Sequence, residues 1–573
     1  MRILNFALLA SLLAISLRLP ASPQQNTTTA TTAVPITIQV NATKNLAPFS
    51  PLYAFFGYDE ANYTYTPNGS KLIAELASAT SAPVFFRTHF LLTTGDAQPA
   101  LKWSSTNAYT EDAQGHPVYD WTVTDRIFDT YLQAHAKPFV EIGFMPQALS
   151  EHPDPYQAPW IPGAPNKDYA AGWAYPPKDY AKWGELVYQW ARHCAEKYGS
   201  AQAASWYWEV WNEPNIFYWQ GTPEEYFQLY DYAVAGVRRA LPNARVGGPA
   251  IAGTISAPAA KFLRDFLNHC ATGKNYATGA QGSPLDFVSY HAKGAPEVID
   301  GRVRMGLARH LQEVDGGLKI LADYPRFKNL PVILSESDPE GCAACSARLY
   351  PPNAYRNGPL YASYTAVVMK AILDLNSANH ASVAGMLTWA FEFEGQPYFD
   401  GLRALATNGV DKPILNLFRM AGMLRGERIA ATSTAAIPLD TLLAKGVRGE
   451  NPNIDALATR DDRGISILIW NYHDDDVPGP TATIALEVHD LPPATPRVFA
   501  QHYRIDATHS NAYSAWQAMR SPQNPTPAQQ QQLEAAGQLQ LLTSPQWLRT
   551  TKRTATINFA LPRQALSLIR IEW

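Results

Sequence analysis

Short apolar segments alternate with amphipathic segments along the chain as far as about residue 424. The amphipathic segments predict helices. Residues 123–136 carry apolar side chains at helical spacing, and Thr222 with Glu225 forms the capping signature of a helix over residues 222–241. The apolar segments predict eight buried strands, at residues 51–59, 83–89, 137–146, 205–214, 244–250, 286–294, 331–337 and 385–394.

Eight repeats of strand and helix in this order predict an α/β fold, a (β/α)8 TIM barrel spanning residues 45–424. The alternative is a doubly wound open sheet. That fold would carry a glycine-rich phosphate-binding loop after its first strand, and the sequence has none there. The barrel is therefore the preferred interpretation.

The pattern changes in residues 425–573, where apolar and polar residues alternate one by one. A period of two is typical of strands with one buried face, so this region predicts a C-terminal antiparallel β-sandwich domain. A glutamine-rich insertion at residues 521–539 interrupts the strands and is predicted to be partly helical. The predicted strands are residues 464–473, 481–491, 497–506, 554–562 and 565–573.

The first residues form an apolar run that follows Arg2 and precedes the small residues Ala21 and Ser22. This pattern is typical of a secretory signal peptide, predicted over residues 1–22, and the polar composition of residues 23–44 predicts a flexible leader. No later apolar run reaches the length of about 18 residues that a membrane span needs. We therefore expect a mature protein without membrane spans, secreted or periplasmic.

The net charge and the spacing of the cysteines argue against nucleic acid and metal ions as ligands. The net charge of −4 provides no basic field that would hold nucleic acid. Among the four cysteines, Cys342 and Cys345 have the spacing of a loop disulfide or of two free thiols. A zinc site would need a second Cys/His pair at suitable spacing, which the sequence lacks, so we expect neither a metal nor a cofactor.

Polar residues that could carry chemistry stand at the predicted strand ends, where TIM barrels place their active sites. Each also has a structural interpretation: Arg87 and His89 could be a structural pair, Glu141 could brace its neighbours inside the barrel, and His291 could cap its strand. The candidates are Arg87 and His89 on strand two, Glu141 on strand three, Asn212 and Glu213 on strand four, His291 and Lys293 on strand six, Glu336 on strand seven and Trp389 on strand eight.

Two of these residues are carboxylates that face each other across the predicted barrel mouth. Glu213 ends strand four and Glu336 ends strand seven. Alone, Glu213 could cap a helix and Glu336 could belong to a turn. Together they match the retaining glycosidases, which need two carboxylates about 5–5.5 Å apart, one protonated and one ionised. The pair therefore predicts hydrolysis of a glycosidic bond.

The segment "WNEPN" at residues 211–215, with a second glutamate on strand seven, resembles the (β/α)8 retaining glycosidases. More narrowly, the chain resembles glycoside hydrolase family 39, which contains β-xylosidases and α-L-iduronidases. The matching stretches include "FFRTHFLL", "DFVSYHAKGAP" and "LSESDPEG". The resemblance implies these roles: Glu213 as acid/base, Glu336 as nucleophile, Asn212 at the sugar 2-hydroxyl, and Arg87, His89 and His291 around the terminal subsite.

The substrate class depends on what meets C5 of the sugar. An α-L-iduronide presents the same anomeric face as a β-D-xyloside but adds a carboxylate, which needs a cation such as Lys293. Where the iduronidase pattern carries an arginine on strand eight, this chain has Ala390, followed by the acidic Glu392 and Glu394. Trp389 completes the predicted sugar contacts.

We therefore favour a β-xylosidase that releases terminal xylose from an oligosaccharide or small glycoside. Another neutral-glycoside hydrolase and an iduronidase-like enzyme are the alternatives, and a non-catalytic carbohydrate-binding protein is a remote one. The sequence is compatible with a homo-oligomer.

Overall fold

The computed structural model describes residues 35–162, 164–339 and 344–573. The predicted signal peptide over residues 1–22 lies outside these residues, as does Cys342. From Pro35 onward the chain contains a closed barrel and a second, nine-stranded sheet.

Helices and strands alternate through the barrel, and strands dominate after it. The α-helices, in chain order, are α1 (Pro67–Ser78), α2 (Thr122–Gln133), α3 (Tyr180–Tyr198), α4 (Ser200–Ala204), α5 (Pro223–Ala240), α6 (Ala257–Thr272), α7 (Leu307–Ala322), α8 (Pro359–Asn379), α9 (Pro413–Ala421), α10 (Leu439–Lys445), α11 (Ala512–Ala518) and α12 (Pro527–Gly537). The strands are β1 (Ile36–Pro48), β2 (Phe55–Tyr58), β3 (Phe85–Thr88), β4 (Tyr109–Glu111), β5 (Pro117–Tyr119), β6 (Lys137–Ile142), β7 (Tyr207–Val210), β8 (Arg245–Ile251), β9 (Phe287–Lys293), β10 (Glu297–Ile299), β11 (Arg302–Arg304), β12 (Val332–Asp338), β13 (Val383–Trp389), β14 (Ala406–Thr407), β15 (Val410–Asp411), β16 (Glu427–Ser433), β17 (Asn453–Arg460), β18 (Gly464–Tyr472), β19 (Ala482–His489), β20 (Arg497–Ile505), β21 (Gln540–Arg549), β22 (Ala555–Leu561) and β23 (Leu566–Glu572).

Eight parallel strands close the barrel in the order β2, β3, β6, β7, β8, β9, β12 and β13. Each strand overlaps one of the eight predicted apolar segments, so the predicted (β/α)8 barrel is confirmed. Inward-facing side chains fill the barrel as an apolar layer beneath the strand ends, which leaves the polar residues above them as a separate layer. The apolar layer consists of Phe55, Phe85, Phe139, Tyr207, Phe287, Ile333, Leu387 and Trp389.

Helix α5 anchors the end of strand β7. The hydroxyl of Thr222 accepts a hydrogen bond from the backbone N–H of Glu225, whose carboxylate accepts one in return, so the predicted capping box is confirmed. From the same helix, the hydroxyl of Tyr226 donates to the carbonyl of Val210 over 3.0 Å. This bond fixes the strand immediately before residues 211–213.

The second sheet has the strand order β21, β20, β23, β18, β17, β16, β1, β19 and β22. Most neighbours are antiparallel, and the sheet curls into the predicted sandwich. Strand β18 is buried on both faces. Ile467 and Ile469 pack in the core of the sandwich, whereas Leu468 and Trp470 pack against the barrel, so β18 joins the two parts of the chain.

The structure corrects the predicted boundary of the flexible leader. The leader was predicted over residues 23–44, but Ile36–Pro48 form strand β1. This strand pairs antiparallel with β16 and parallel with β19 in the interior of the second sheet. The alternating residues Ile38 and Val40 are fully buried, and this period of two stabilises a strand within an otherwise polar segment.

The described cysteines differ in their bonding state. Cys345 is disulfide-bonded, whereas the predicted partner Cys342 lies outside the described residues. Cys194 and Cys270 are buried free thiols.

Among the described residues, no helix combines the length and the apolar character that crossing a membrane requires.

Candidate active site

The guanidinium of Arg87, at the end of β3, is the centre of a buried ion-pair network. Its Nε lies 2.6 Å from Oε2 of Glu209 and one terminal nitrogen lies 2.9 Å from Oε2 of Glu141. The same side chain donates to Oδ1 of Asn212 over 2.9 Å. A buried charge is costly unless it is paired. These contacts compensate the charge of Arg87 and hold its side chain in one position. Glu141 braces the strand ends of the barrel, as one interpretation of its sequence position predicted.

The imidazole of His89 links three carboxylates. Its Nδ1 lies 2.5 Å from Glu141, and its Nε2 lies 3.4 Å from Asp59 and 3.5 Å from Oε1 of Glu336. Burial opposes the charge, but the carboxylates, Glu141 foremost, raise the pKa of His89 to about 9. His89 is therefore an imidazolium at neutral pH and can donate from both nitrogens.

Glu336, on β12, is surrounded by cations. Its Oε2 lies 2.8 Å from Nζ of Lys293, and its Oε1 lies 3.5 Å from a terminal nitrogen of Arg87. Burial favours the neutral acid, but Lys293, His291 and His89 hold the pKa of Glu336 well below its ordinary value. Glu336 is therefore a carboxylate at neutral pH, held beneath the mouth of the barrel.

Glu213 follows β7 in a left-handed backbone conformation, with φ of +46°. Such a conformation is uncommon for a residue other than glycine and marks candidate functional sites. Its N–H donates to the carbonyl of Ala250 over 2.9 Å, and its Oε1 lies 2.8 Å from Nδ1 of His291. The Glu213 side chain is 16% exposed, against 8% for Glu336, so Glu213 lies nearer the opening.

The two carboxylates lie close together. Glu213, His291 and Glu336 each place one oxygen or nitrogen within 4.8 Å of the other two. Three such groups could in principle hold a metal ion. However, the ammonium of Lys293 and the guanidinium of Arg87 already neutralise Glu336, so a divalent cation would meet two fixed positive charges. The donor set therefore suits organic chemistry between two carboxylates better than metal binding.

Several polar atoms of the site have no partner among the described residues. Nδ2 of Asn212 and Nε2 of His291 are buried and lack a hydrogen bond within the described chain. Trp389 lies beneath them, with the guanidinium of Arg87 5.4 Å from its ring centre. A Cβ at Gly57 would come 2.5 Å from the Trp389 ring, so glycine is required there for the ring to lie across the barrel.

The eight residues predicted to act in catalysis or sugar binding thus come together with Glu141, linked directly or through Glu336. Sequence reasoning missed five further residues beside them. Glu209 pairs with Arg87, and the other four, Asp59, Lys102, Tyr218 and Arg403, form a buried polar wall. Lys102 lies 3.1 Å from Asp59 and 3.1 Å from the hydroxyl of Tyr218, and Arg403 lies 2.5 Å from Asp59. Asp59 directly follows β2 and could have been found as a strand end. Lys102 and Arg403 stand in loops, where no pattern indicates them.

The comparison with protein families identifies one match. The sequence model of glycosyl hydrolases family 39 matches residues 100–549, a range that includes both carboxylates and most of the second sheet.

Individual relatives include β-xylosidases and α-L-iduronidases. A β-xylosidase of Caldicellulosiruptor saccharolyticus is 29% identical over 414 residues, which cover 70% of this chain and 72% of the relative. An α-L-iduronidase of Mus musculus is 27% identical over 369 residues, which cover 61% of this chain and 55% of the relative. A solved structure of a monomeric β-xylosidase from Caulobacter crescentus CB15 superimposes with a TM-score of 0.73 at 20% identity, covering 94% of this chain and 99% of the other.

Proposed function

Because the chain belongs to glycosyl hydrolases family 39, we propose that it is a retaining exo-glycosidase that releases terminal xylose from β-xylosides. The observation that carries this proposal is the short separation of Glu213 and Glu336, whose nearest atoms fall within 4.8 Å. Retaining enzymes hold their carboxylates about 5–5.5 Å apart, whereas inverting enzymes need about 6.5–9.5 Å to admit a water between them.

The different surroundings of the two carboxylates support a division of roles. Glu336, kept ionised by Lys293 and the neighbouring imidazoles, attacks the anomeric carbon and forms a glycosyl ester while the bond to the leaving oxygen breaks. Glu213 lies nearer the opening and gives its proton to that oxygen. In the second step Glu213 takes a proton from water, which attacks the anomeric carbon and releases Glu336. Two inversions retain the configuration.

The unpartnered donors support sugar binding at the same place. Asn212 lies next to Glu213, and its Nδ2 can donate to the 2-hydroxyl of the sugar, where hydrogen bonds strengthen in the transition state. The buried Nε2 of His291 is available to another hydroxyl. Leaving such donors unpaired costs stability, and a bound sugar would satisfy both.

The charges of the pocket favour a neutral sugar. Lys293, the cation next to Glu336, is also 3.0 Å from Asp338, so two carboxylates already neutralise it. Lys102 and Arg403 are likewise held by Asp59. A uronate would have to compete with these carboxylates for every cation. The β-xylosidase relative also matches over a larger share of its length than the α-L-iduronidase relative does.

One observation favours an iduronidase-like enzyme as the second candidate. The sequence has Ala390 where the iduronidase pattern carries an arginine, but Arg403 places a guanidinium 6.0 Å from the centre of the Trp389 ring. Arg403 and Lys293 could together accept a uronate if their carboxylates rearranged. A hydrolase for another neutral glycoside would use the same two carboxylates as the xylosidase.

A 2-fluoro xyloside with a good leaving group tests the proposal. The fluorine slows both steps, whereas the good leaving group keeps the first step fast. The sugar should therefore remain attached to the peptide that contains "VILSESDPEG", and Glu336→Gln should abolish the label. A panel of aryl xylosides, arabinosides, glucosides and iduronides then ranks the substrates. A label on another carboxylate, or a first product of inverted configuration by NMR, would overturn the mechanism. Binding without turnover of any glycoside would instead identify a carbohydrate-binding protein.

A further inference from the structure

An aromatic and basic surface lies at the edge of the second sheet, on strands β20 and β21 and the turn that follows. Trp547 is 54% exposed. The ring of Phe499 lies 5.3 Å from the Trp547 ring, and the guanidinium of Arg497 lies 4.3 Å above it. With Arg549 and Lys552, both exposed, these residues are called the basic edge surface.

The charge of this edge differs from that of the whole chain. The chain has a net charge of −4, yet residues 535–571 contain no aspartate or glutamate and five lysine or arginine residues. On the same sheet, Arg504 pairs with Asp506, and Arg570 pairs with Glu572, the register partner of Phe499 on β23. Arg497, Arg549 and Lys552 form none with a carboxylate of any described residue. The negative net charge of the chain predicted no basic field, but the charge at this edge of the sheet is positive.

The fold does not require this arrangement. Arg497 is the register partner of Arg549, and Phe499 is the partner of Trp547. Like charges directly opposite each other destabilise a strand pair, and an exposed tryptophan gains little from burial. The residue between them on β20, Val498, is fully buried and stabilises the pair from the inner face. Contacts with the Trp547 ring stabilise Phe499 and Arg497, but the opposed charges of Arg497 and Arg549 and the exposure of Trp547 remain costs to the fold.

The chemistry of the surface indicates its ligand. Indole and phenyl rings stack on the apolar faces of sugar rings, and arginine side chains bind carboxylates in bidentate geometry. A ligand that offers both features in one chain is a polysaccharide with uronate units. We propose that the basic edge surface binds a carboxylate-bearing polysaccharide and holds the enzyme on its polymeric substrate.

This proposal rests on the glycosidase family of the chain and not on the choice of xylose at the active site. It is compatible with a neutral terminal sugar, since the two sites are separate: the acidic units would be recognised on β20 and β21, and the terminal bond would be cleaved in the barrel. Binding and turnover can therefore be measured independently.

Affinity electrophoresis of the full chain tests the proposal, with polygalacturonate and a uronate-substituted xylan in the gel. Both polymers should retard the protein, and the same polymers with their carboxyl groups reduced should retard it far less. Arg497→Ala combined with Arg549→Ala should weaken binding by roughly tenfold or more, and Trp547→Ala by a similar factor. Arg192→Ala combined with Lys319→Ala, two exposed cations on barrel helices, is the matched control and should bind as the wild type does.

Turnover of a soluble aryl glycoside should be the same in all these variants, which shows that they fold. The proposal is overturned if neither acidic polymer retards the wild type, or if the control variant loses binding equally. It is also overturned if DNA binds as tightly as the polysaccharides with no effect of Trp547→Ala. If the double variant self-associates in light scattering while its retardation is unchanged, the cations protect the strand edge and the proposal fails.

Discussion

At the scale of single residues, the site distinguishes two chemically identical side chains by their neighbours. Glu336 has Lys293, Arg87 and His89 within 3.5 Å, whereas Glu213 contacts the imidazole of His291 at 2.8 Å. The cations around Glu336 stabilise its carboxylate form, whereas the Glu213 side chain is more exposed and lies nearer the opening. The proposed division into nucleophile and acid/base rests on these contacts, and two substitutions test it.

Glu213→Ala should affect substrates according to their leaving group. Natural xylosides need a proton on the leaving oxygen, so their turnover should fall by about 10²–10⁴-fold, while activated aryl xylosides should lose much less. Azide, which is small enough to replace the deleted carboxylate, should restore part of the rate and yield a glycosyl azide. The exposed Glu224→Gln should leave all rates unchanged. Equal losses for every leaving group, without an effect of azide, would contradict the role.

Lys293→Met should move the acid limb of the pH profile. The ammonium lowers the pKa of Glu336, so its removal should raise that pKa and shift the acid limb of kcat/KM upward by about 1–3 pH units. The exposed Lys261→Met is the control and should not move the limb. An unchanged limb in Lys293→Met would show that Glu336 is not the group that must be ionised. If the ratio of iduronide to xyloside turnover also stays unchanged, Lys293 no longer supports the iduronidase alternative.

The sequence could indicate the site residues that stand at strand ends, but not those that stand in loops. Arg87, Glu213, His291 and Glu336 stand at the ends of apolar segments, and the barrel geometry alone brings strand ends together. Lys102 and Arg403 reach the site from loops. Their approach depends on loop conformation, for which a single sequence has no periodic signal.

At the scale of secondary structure, the spacing of apolar residues along the chain determined which strands could be predicted. The eight barrel strands are continuous apolar runs, as expected for parallel strands covered on both faces. Strand β1 was missed because residues 36–48 are rich in polar residues and follow a low-complexity segment. Its buried positions, Ile38 and Val40, are recognisable only once β16 and β19 lie on either side.

Strand β1 should therefore contribute strongly to stability although it lies near the beginning of the described chain. Ile38→Ala removes a fully buried side chain between two strands and should lower the free energy of unfolding by about 2–5 kcal/mol. Gln39→Ala, on the exposed face of the same strand, should change it by less than about 0.5 kcal/mol. Chemical denaturation measures both. Equal small effects would indicate that β1 detaches without disturbing the sheet.

At the scale of the whole molecule, the barrel and the second sheet are joined through helix α8. This helix packs against β18, and its Lys370 lies 2.8 Å from Asp374 in the helix and 3.1 Å from Asp455 on β17. Arg428 of β16 pairs with Asp374 from the sheet side. Burial raises the pKa of Asp455, and Lys370 opposes that rise. Lys370 is thus the cation shared by the two parts of the chain.

Lys370→Met should destabilise the whole chain, because it leaves Asp455 without its cation at the junction. Since Lys370 is 20% exposed, the expected loss at pH 7 is about 1–3 kcal/mol, less than for a fully enclosed pair. Removing the cation raises the pKa of both aspartates in the folded state, so the deficit should be full at neutral pH and should shrink as the pH falls and they take up protons. Lys319→Met, which removes an exposed partner of Asp315 within α7, should change stability by less than about 0.5 kcal/mol. Calorimetry across this pH range measures the difference, and a deficit that does not vary with pH would assign the loss to packing of the Lys370 side chain and not to its charge.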